Sequence, residues 1–315
     1  SPYRRVPESV AEATNDGVKG LNFNTAGGRV RFVTNSDYVA IKMTSSGSAQ
    51  MANMCLIGSS GFDLYVARNG VDTFAGVFSP PYNGHKDGFD GIIKFPWIPK
   101  GKKEITINFP LYSGVTDLYI GLDKNSTLEK HPDYKFTKPV IYYGSSITQG
   151  GCASRPGMAY ESIISRRLDT EYINLGFSGS ARAEQPMVDY LASLDPSVFV
   201  MDYDHNAPDP DYLAKTHEHL YKSFRAAHPD TPVVLVGKPD FWFQDPNNMA
   251  RRDIIYNTYN NARLRGEKVI FIDGYSLFPS YMREECTVDN CHPNDLGMAG
   301  MADTIGKAVE YALSM

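Results

Sequence analysis

The chain is poor in several features that would each have dictated a class of protein. Four cysteines among 315 residues do not make a disulfide scaffold, so the fold must rest on buried apolar surface. No run of about eighteen apolar residues occurs, and no transmembrane helix is encoded. The opening segment, SPYRRVPESV, lacks the apolar core of a signal peptide; the expectation is a mature chain whose signal has been removed, in a secreted or periplasmic location. There is no long basic block, and 31 basic against 36 acidic residues give a formal net charge of -5, which argues against a nucleic-acid partner. No internal repeat or low-complexity tract is present, so solenoids and disordered tails are excluded.

What is present changes character part-way along. Residues 1–135 show little helical period and several short alternating runs: Arg29–Val33, Tyr38–Met43, Phe62–Ala67, Gly91–Phe95, Glu104–Phe109 and Asp117–Leu122. Turn residues separate them, among them Arg68-Asn69-Gly70, a hairpin signal because Asn-Gly suits the positive φ of a type I′ turn. Short strands at this spacing predict an all-β sandwich or jelly roll over 1–135. HPDYKFTKP, residues 131–139, has two prolines and little periodicity and reads as the boundary. From 139 to 315, continuous apolar strands alternate with amphipathic helices, the pattern of βαβ units. The strands are placed at Val140–Tyr143, Tyr172–Leu175, Val198–Met201, Val233–Val236 and Val269–Ile272. Helices fall near Ala159–Leu168, Pro186–Leu194, Asp209–His228 and Met249–Arg265, with the last from Asp295 to Leu313. The fold class predicted is therefore α/β, a flavodoxin-like three-layer parallel sheet of about five strands, preceded by the sandwich.

Function in such a sheet sits in the loops after the strands. The first of these is Gly144-Ser145-Ser146-Ile147-Thr148-Gln149-Gly150, the second Asn174-Leu175-Gly176-Phe177-Ser178-Gly179-Ser180, and the third Asp202-Tyr203-Asp204-His205-Asn206-Ala207; near the C-terminus stands Asp289-Asn290-Cys291-His292. In this order the four blocks resemble the SGNH, or GDSL-type, esterases and acylhydrolases, whose first block reads G-D-S-x-T-x-G, whose third reads G-x-N-D and whose last reads D-x-x-H. The resemblance covers residues 139–315 and implies Ser146 as nucleophile, His292 as base and then acid, and Asp289 as the group orienting His292. It implies an oxyanion hole from the amides of Ser146 and Gly179 and the side chain of Asn206, with Gly176 as an alternative to Gly179. Three positions depart from the pattern. Ser145 replaces the usual Asp, Asp204 replaces a Gly, and Ala207 replaces an Asp. A carboxylate beside an oxyanion opposes catalysis, so Asp204 is expected to point away or to pair with His205 or an arginine.

The resemblance implies a serine esterase that uses no cofactor and no metal. The expected substrate is a small-molecule or glycan ester, with a short acyl group, acetyl above all, removed from a carbohydrate. Its alternatives are acyl transfer on the same serine, or a carbohydrate-binding protein whose hydrolase domain is degenerate. Trp242, after the fourth strand, is a candidate for stacking on a sugar or lining an acyl pocket, while Arg182 and His205 are candidate substrate contacts. His217 and His219 lie two apart on a helix and so do not share a face, which counts against a paired metal site and reads as a solvated surface. Cys286 and Cys291 are either bridged in an oxidising compartment or two reduced thiols; Cys55 and Cys152 read as buried small hydrophobes.

Overall fold

A computed structural model of the chain describes residues 3–68, 70–98, 100–240 and 245–315. Asn69, the centre of the expected hairpin turn, and Trp242 lie outside the described residues. The chain opens with two short helices, α1 (Glu8–Thr14) and α2 (Asp16–Leu21), and the Asn15 side chain caps the second by accepting from the Val18 amide at 2.8 Å. Helices of two turns or fewer carry almost no periodic signal and depend on packing for their stability. Here Ala11 and Val18 are buried in the core of the C-terminal sheet, not in that of the sandwich.

The sandwich follows: β1 (Arg29–Thr34), β2 (Tyr38–Thr44), α3 (Leu56–Ser60), β3 (Phe62–Arg68), β4 (Val71–Phe78), β5 (Gly88–Lys94), β6 (Lys103–Asn108), β7 (Asp117–Gly121) and β8 (Leu128–Lys130). Its two antiparallel sheets run β4-β3-β6-β1-β8 and β5-β2-β7. Alternation does the work, since Val39, Ile41 and Met43 point inward from β2 and meet Leu64, Val66, Ile105 and Ile107 from the facing sheet in one core. The two strands the sequence did not reveal, β4 and β8, are the edges of the larger sheet. An edge strand has less to bury, and β8 is exposed along its whole length.

The C-terminal part comprises β9 (Phe136–Gly144), α4 (Ser146–Gln149), α5 (Tyr160–Leu168), β10 (Thr170–Gly176), α6 (Gln185–Ser193), β11 (Val198–Asp202), α7 (Pro210–Ala227), β12 (Val233–Val236), α8 (Pro246–Leu264), β13 (Val269–Ile272) and α9 (Asp295–Leu313). The strands are all parallel in the order β10-β9-β11-β12-β13, as predicted. Both faces are covered, which is why β12, β13, the first four residues of β11 and the Val140–Tyr143 part of β9 read as unbroken apolar runs. Val140 and Tyr142 face α5 and α9, whereas Ile141 and Tyr143 face α6, α7 and α8. Two long helices begin with the same local device, an Asp that accepts a backbone N–H in front of a Pro that has none to satisfy: Asp209-Pro210 and Asp245-Pro246. β9 starts inside the expected boundary segment, and Pro139 is tolerated there because the β9–β10 ladder is interrupted between Thr170 and Tyr172. His217 corrects the sequence reading: it lies on the buried face of α7, stacked on Tyr203 with centroids 5.9 Å apart and bonded through Nδ1 to Thr258 Oγ1 at 2.9 Å. Burial pushes its pKa down to about 3. Only His219 is on the surface. Among the described residues no helix is long and apolar enough to cross a membrane.

A buried ion pair joins the two parts. Asp63, on β3 and fully buried, accepts from Arg155 Nη1 at 2.8 Å, from the Gly157 amide at 2.7 Å and from Asn108 Nδ2 at 2.9 Å. Arg155 also bonds the Tyr65 hydroxyl and lies over the Phe74 ring at 3.9 Å. Removing one partner of such a pair strands a buried charge, so Arg155→Met is expected to lower the unfolding free energy by about 3–5 kcal/mol. Denaturant titration measures this, and a midpoint equal to that of the wild type would refute the ion pair's structural role.

Candidate active site

The loop after β9 is shaped by close approach. A Cβ on Gly144 would stand 2.0 Å from Thr148 Oγ1 and 2.5 Å from the Asp202 carbonyl, so no other residue fits. Ser145 is buried, and its hydroxyl accepts from the Ile147 amide at 3.1 Å, capping the short helix α4 whose first residue is Ser146. Thr148 ties α4 down by donating to Asp202 Oδ2 at 3.0 Å, and Tyr160 donates to the same oxygen at 2.9 Å. Burial raises the Asp202 carboxyl to about 7 against these hydrogen bonds.

Ser146 Oγ lies 3.0 Å from His292 Nε2, and His292 Nδ1 lies 2.9 Å from Asp289 Oδ2. The Asp289 carboxylate receives three further donors: the His292 amide at 2.8 Å and the Cys291 amide at 3.2 Å on Oδ1, and Asn53 Nδ2 at 2.9 Å on Oδ2. Partial burial opposes its charge, but the His292 amide, Asn53 and the His292 ring outweigh it and hold its pKa at about 2. His292 is raised to about 9, chiefly by the neighbouring Cys291 thiol, against burial and with help from Asp289. Burial would raise the Cys291 thiol, yet the hydrogen bond with His205 and the neighbouring His292 ring bring it down to about 7. His205 is itself raised to about 10, burial being overcome by Asp240 and Cys291.

The other residues singled out by the sequence are placed as follows. Gly179 has φ +66° and nothing within 4 Å of its Cβ position, so it is glycine for its backbone conformation. Gly176 is glycine because a Cβ would stand 2.2 Å from the Gln149 amide, and its own N–H is already given to Asn174 Oδ1 at 2.9 Å. Asn206 donates one Nδ2–H to the Phe177 carbonyl at 2.9 Å, which binds the loop after β11 to the loop after β10 and leaves the second N–H to point elsewhere. Arg182 turns back onto the Gly179 carbonyl, at 2.9 Å from Nη2. His205 Nε2 faces Asp240 Oδ1 at 3.1 Å and Cys291 Sγ at 3.4 Å. Asp204 is paired with an arginine, as one of the two expectations had it: it accepts from Arg251 Nη1 at 3.1 Å and from the Lys238 amide at 3.0 Å. Cys286 and Cys291 are not bridged, and all four cysteines are free; Cys152 is buried, but Cys55 is exposed, which corrects the reading of it as a buried small hydrophobe.

The donor atoms of His205, Asp240 and Cys291 lie within 4.8 Å of one another, as do those of Asp289, Cys291 and His292. Each of these groups is also held together by its own hydrogen bonds and ion pairs. A recess of about 570 Å³ lined by Arg29, Arg31, Asp133, Tyr134, Thr137 and Glu171 contains none of the site residues. The residues sequence reasoning missed come from the sandwich: Asn53 on Asp289, and Tyr112, whose hydroxyl donates to the Ser146 carbonyl at 2.9 Å. Neither lies in a motif or a periodic element, so no local signal marked them.

Residues 137–310 match the GDSL-like Lipase/Acylhydrolase family. Residues 1–128 match the GxDLY N-terminus of SGNH-hydrolase-type esterases, whose signature is spelled by Gly61-Phe62-Asp63-Leu64-Tyr65, the strand carrying the buried Asp63. Among solved structures the chain is similar to a GDSL-like lipase from Bacteroides ovatus ATCC 8483, at 29% identity and TM-score 0.88, covering 99% of this chain and 92% of that one. A salicylyl-acyltransferase from a tetracycline biosynthetic pathway shares the fold at 18% identity and TM-score 0.79, covering 98% and 89%. So does a family two carbohydrate esterase from Clostridium thermocellum in complex with cellohexaose, at 15% identity and TM-score 0.68, covering 92% and 94%. No curated protein matches.

The contrast among the thiols is directly measurable. Cys152 is buried and pushed up to about 12 by that burial, and buried Cys286 is raised too, whereas Cys291 is at about 7. With limiting iodoacetamide at neutral pH, Cys291 and the exposed Cys55 are expected to alkylate roughly ten-fold faster than Cys152 and Cys286. Peptide mass spectrometry reads the order, and equal labelling of all four would contradict it.

Proposed function

The chain belongs to the GDSL-like lipase/acylhydrolase family and is an ester hydrolase, and on that premise we propose that it removes an acetyl or other short acyl group from a carbohydrate through a Ser146–His292–Asp289 relay and an acyl-enzyme. The observation that carries the proposal is the unbroken chain of hydrogen bonds from Ser146 Oγ to His292 at 3.0 Å and on to Asp289 at 2.9 Å, at the edge of the sheet where its strands end. Ser146 Oγ attacks the ester carbonyl while its proton passes to His292 Nε2. The tetrahedral intermediate's oxygen is held by the amides of Ser146 and Gly179 and by the second N–H of Asn206. His292 then gives its proton to the departing sugar hydroxyl, leaving the acyl group on Ser146. Water, deprotonated by the same ring, attacks that ester and releases the carboxylic acid. Asp289, held ionised by its four donors, keeps the Nδ1 tautomer in place and stabilises the imidazolium.

The carbohydrate reading draws on the two-part fold shared with family two carbohydrate esterases, one of them in complex with cellohexaose. The same fold in a salicylyl-acyltransferase makes the acceptor the point to test. Incubation with an acetylated oligosaccharide, in water alone and with added alcohol or sugar acceptors, should yield free acetate as the main product in every case; predominant transfer to the acceptor would reassign the enzyme.

Ser146→Ala is expected to lose hydrolysis of a short-chain chromogenic ester by about a thousand-fold or more. Asn206→Ala should lose about 100- to 1,000-fold in kcat, the typical effect of one oxyanion donor; unaltered turnover in either variant would remove that residue from the mechanism. The pH profile has a defined sign. His292 must be neutral to accept the serine proton, and its pKa is raised to about 9, so kcat/KM should climb through neutrality and level off only near that value. Cys291→Ala removes the largest upward influence on His292, so the rising limb should move to lower pH. A limb that stays in place would show that Cys291 does not tune the base.

A further inference from the structure

We propose that Asn53, delivered by the N-terminal sandwich, is a positioning residue for the relay: it holds the Asp289 carboxylate oxygen that orients His292. The proposal rests on the assignment of Ser146, His292 and Asp289 given above. Asn53 Nδ2 and His292 Nδ1 converge on the same atom, Asp289 Oδ2, at 2.9 Å each. The other oxygen, Oδ1, takes the amides of Cys291 and His292. A carboxylate has about four lone-pair directions, so these four donors fill it and leave the group one orientation. Three of the donors come from the 289–292 loop itself, which moves with Asp289. Asn53 comes from 236 residues away in sequence, and so is the donor that refers the carboxylate to the rest of the molecule.

The segment bearing Asn53 is well anchored. Its neighbour Met54 is buried in one core with Cys152 and Ala153 of the stretch that follows the nucleophile helix. At the start of the segment, the Ala49 amide donates to Ser60 Oγ at 2.9 Å and the Ala49 carbonyl accepts from Ser59 Oγ at 2.6 Å. The same part of the chain braces the other end of the relay, where Tyr112 donates to the Ser146 carbonyl. The sandwich thus grips both the nucleophile and the acid.

Two effects follow when Asn53 is removed. Asp289 loses an orientational restraint, which lowers kcat without altering substrate contacts. Oδ2, no longer shared, becomes a stronger acceptor for the His292 ring, which favours the imidazolium and moves the rising limb of kcat/KM to higher pH. Among the described residues the other titratable groups facing the relay are Cys291, with His205 and Asp240 behind it, Cys152 from the nucleophile segment, and Tyr112 on the Ser146 carbonyl; substitution of Asn53 leaves all of them in place.

The test compares wild-type full-length protein with Asn53→Ala and Asn53→Asp, following kcat, KM and the pH profile on a short-chain chromogenic ester, together with thermal melting. Asn53→Ala is expected to lower kcat about ten-fold with KM within about two-fold, and to move the limb up by about half a pH unit. Asn53→Asp sets a second carboxylate beside Asp289 and should do both to a greater extent. Asn53 is exposed, so melting should stay near that of the wild type. Titration of the His292 ring by NMR should shift in the same direction independently of turnover. A Ser146-dependent rate, pH limb and ring titration all indifferent to Asn53 would overturn this proposal alone, whereas a rate indifferent to Ser146 would overturn the assignment beneath it.

Discussion

All strands of a parallel sheet end on one edge, and here the strand order reverses at β9, so the loops that follow β9, β10 and β11 lie side by side. The rest of the site depends on that constraint. Ser146, Gly179 and Asn206 are 33 and 27 residues apart in succession, yet they stand on adjacent loops because their strands are neighbours. The loops are then fastened to one another by single hydrogen bonds: Asn206 to the Phe177 carbonyl, Thr148 to Asp202, and Gln149 to the Ser178 amide. The fourth contribution enters from the segment that leads into α9. Its Asn294 caps that helix by accepting the Leu296 and Gly297 amides, and the 289–292 loop is thereby set just before a well-formed helix start.

Two of the three departures from the family pattern, Ser145 and Asp204, are accommodated by contacts nearby. Ser145 still performs the capping that a short polar side chain performs at this position, but brings no charge to the floor of the nucleophile. Asp204 would be a harmful charge if it faced a developing oxyanion. Arg251, on α8, neutralises it and at the same time bonds the carbonyls of Asp204 and Ala207, so that one guanidinium clamps the whole turn around Asn206. His205 is spoken for as well, bridging Asp240 and Cys291. The charges of Asp204, His205 and Asp240 are therefore locked in pairs that keep the loop geometry, and among the described residues the His292 ring is the group hydrogen-bonded to Ser146 Oγ.

The N-terminal sandwich is bound to the catalytic sheet by directional polar contacts as well as by apolar packing. The fully buried Asp63 ties β3 to Arg155 and Gly157, just beyond α4, and the contacts of Tyr112 and Asn53 reach Ser146 and Asp289 themselves. In the other direction, α1 and α2 at the start of the chain contribute to the core beneath the β10–β11 side of the sheet. The two parts interlock from both ends of the N-terminal segment, which gives the sandwich a role in shaping the site that a tethered accessory module would not have.

Much of the fold was legible along the chain, for reasons visible in particular elements. β11, β12 and β13 were found because strands buried on both faces must be continuously apolar, and α9 because Met298, Met301, Ala302, Ile305 and Val309 repeat on one helical face and are all buried. β4, β8, α1 and α2 were not, since edge strands and very short helices owe their structure to what they pack against. Ser146, Asp289 and His292 could be named as candidates because each sits in a compact block of neighbouring residues, and blocks are what a sequence displays. By itself the sequence determined the strand-and-helix order, the family blocks and the residue types available for acyl transfer. Only the tertiary structure decided that Asp204 is neutralised by Arg251, that His217 is a core residue, that Cys291 lies between two imidazoles, and that Asn53 meets Asp289. Each of those is a contact between distant segments, set by how sheets and helices pack in three dimensions, and no local pattern of residues encodes such a distance.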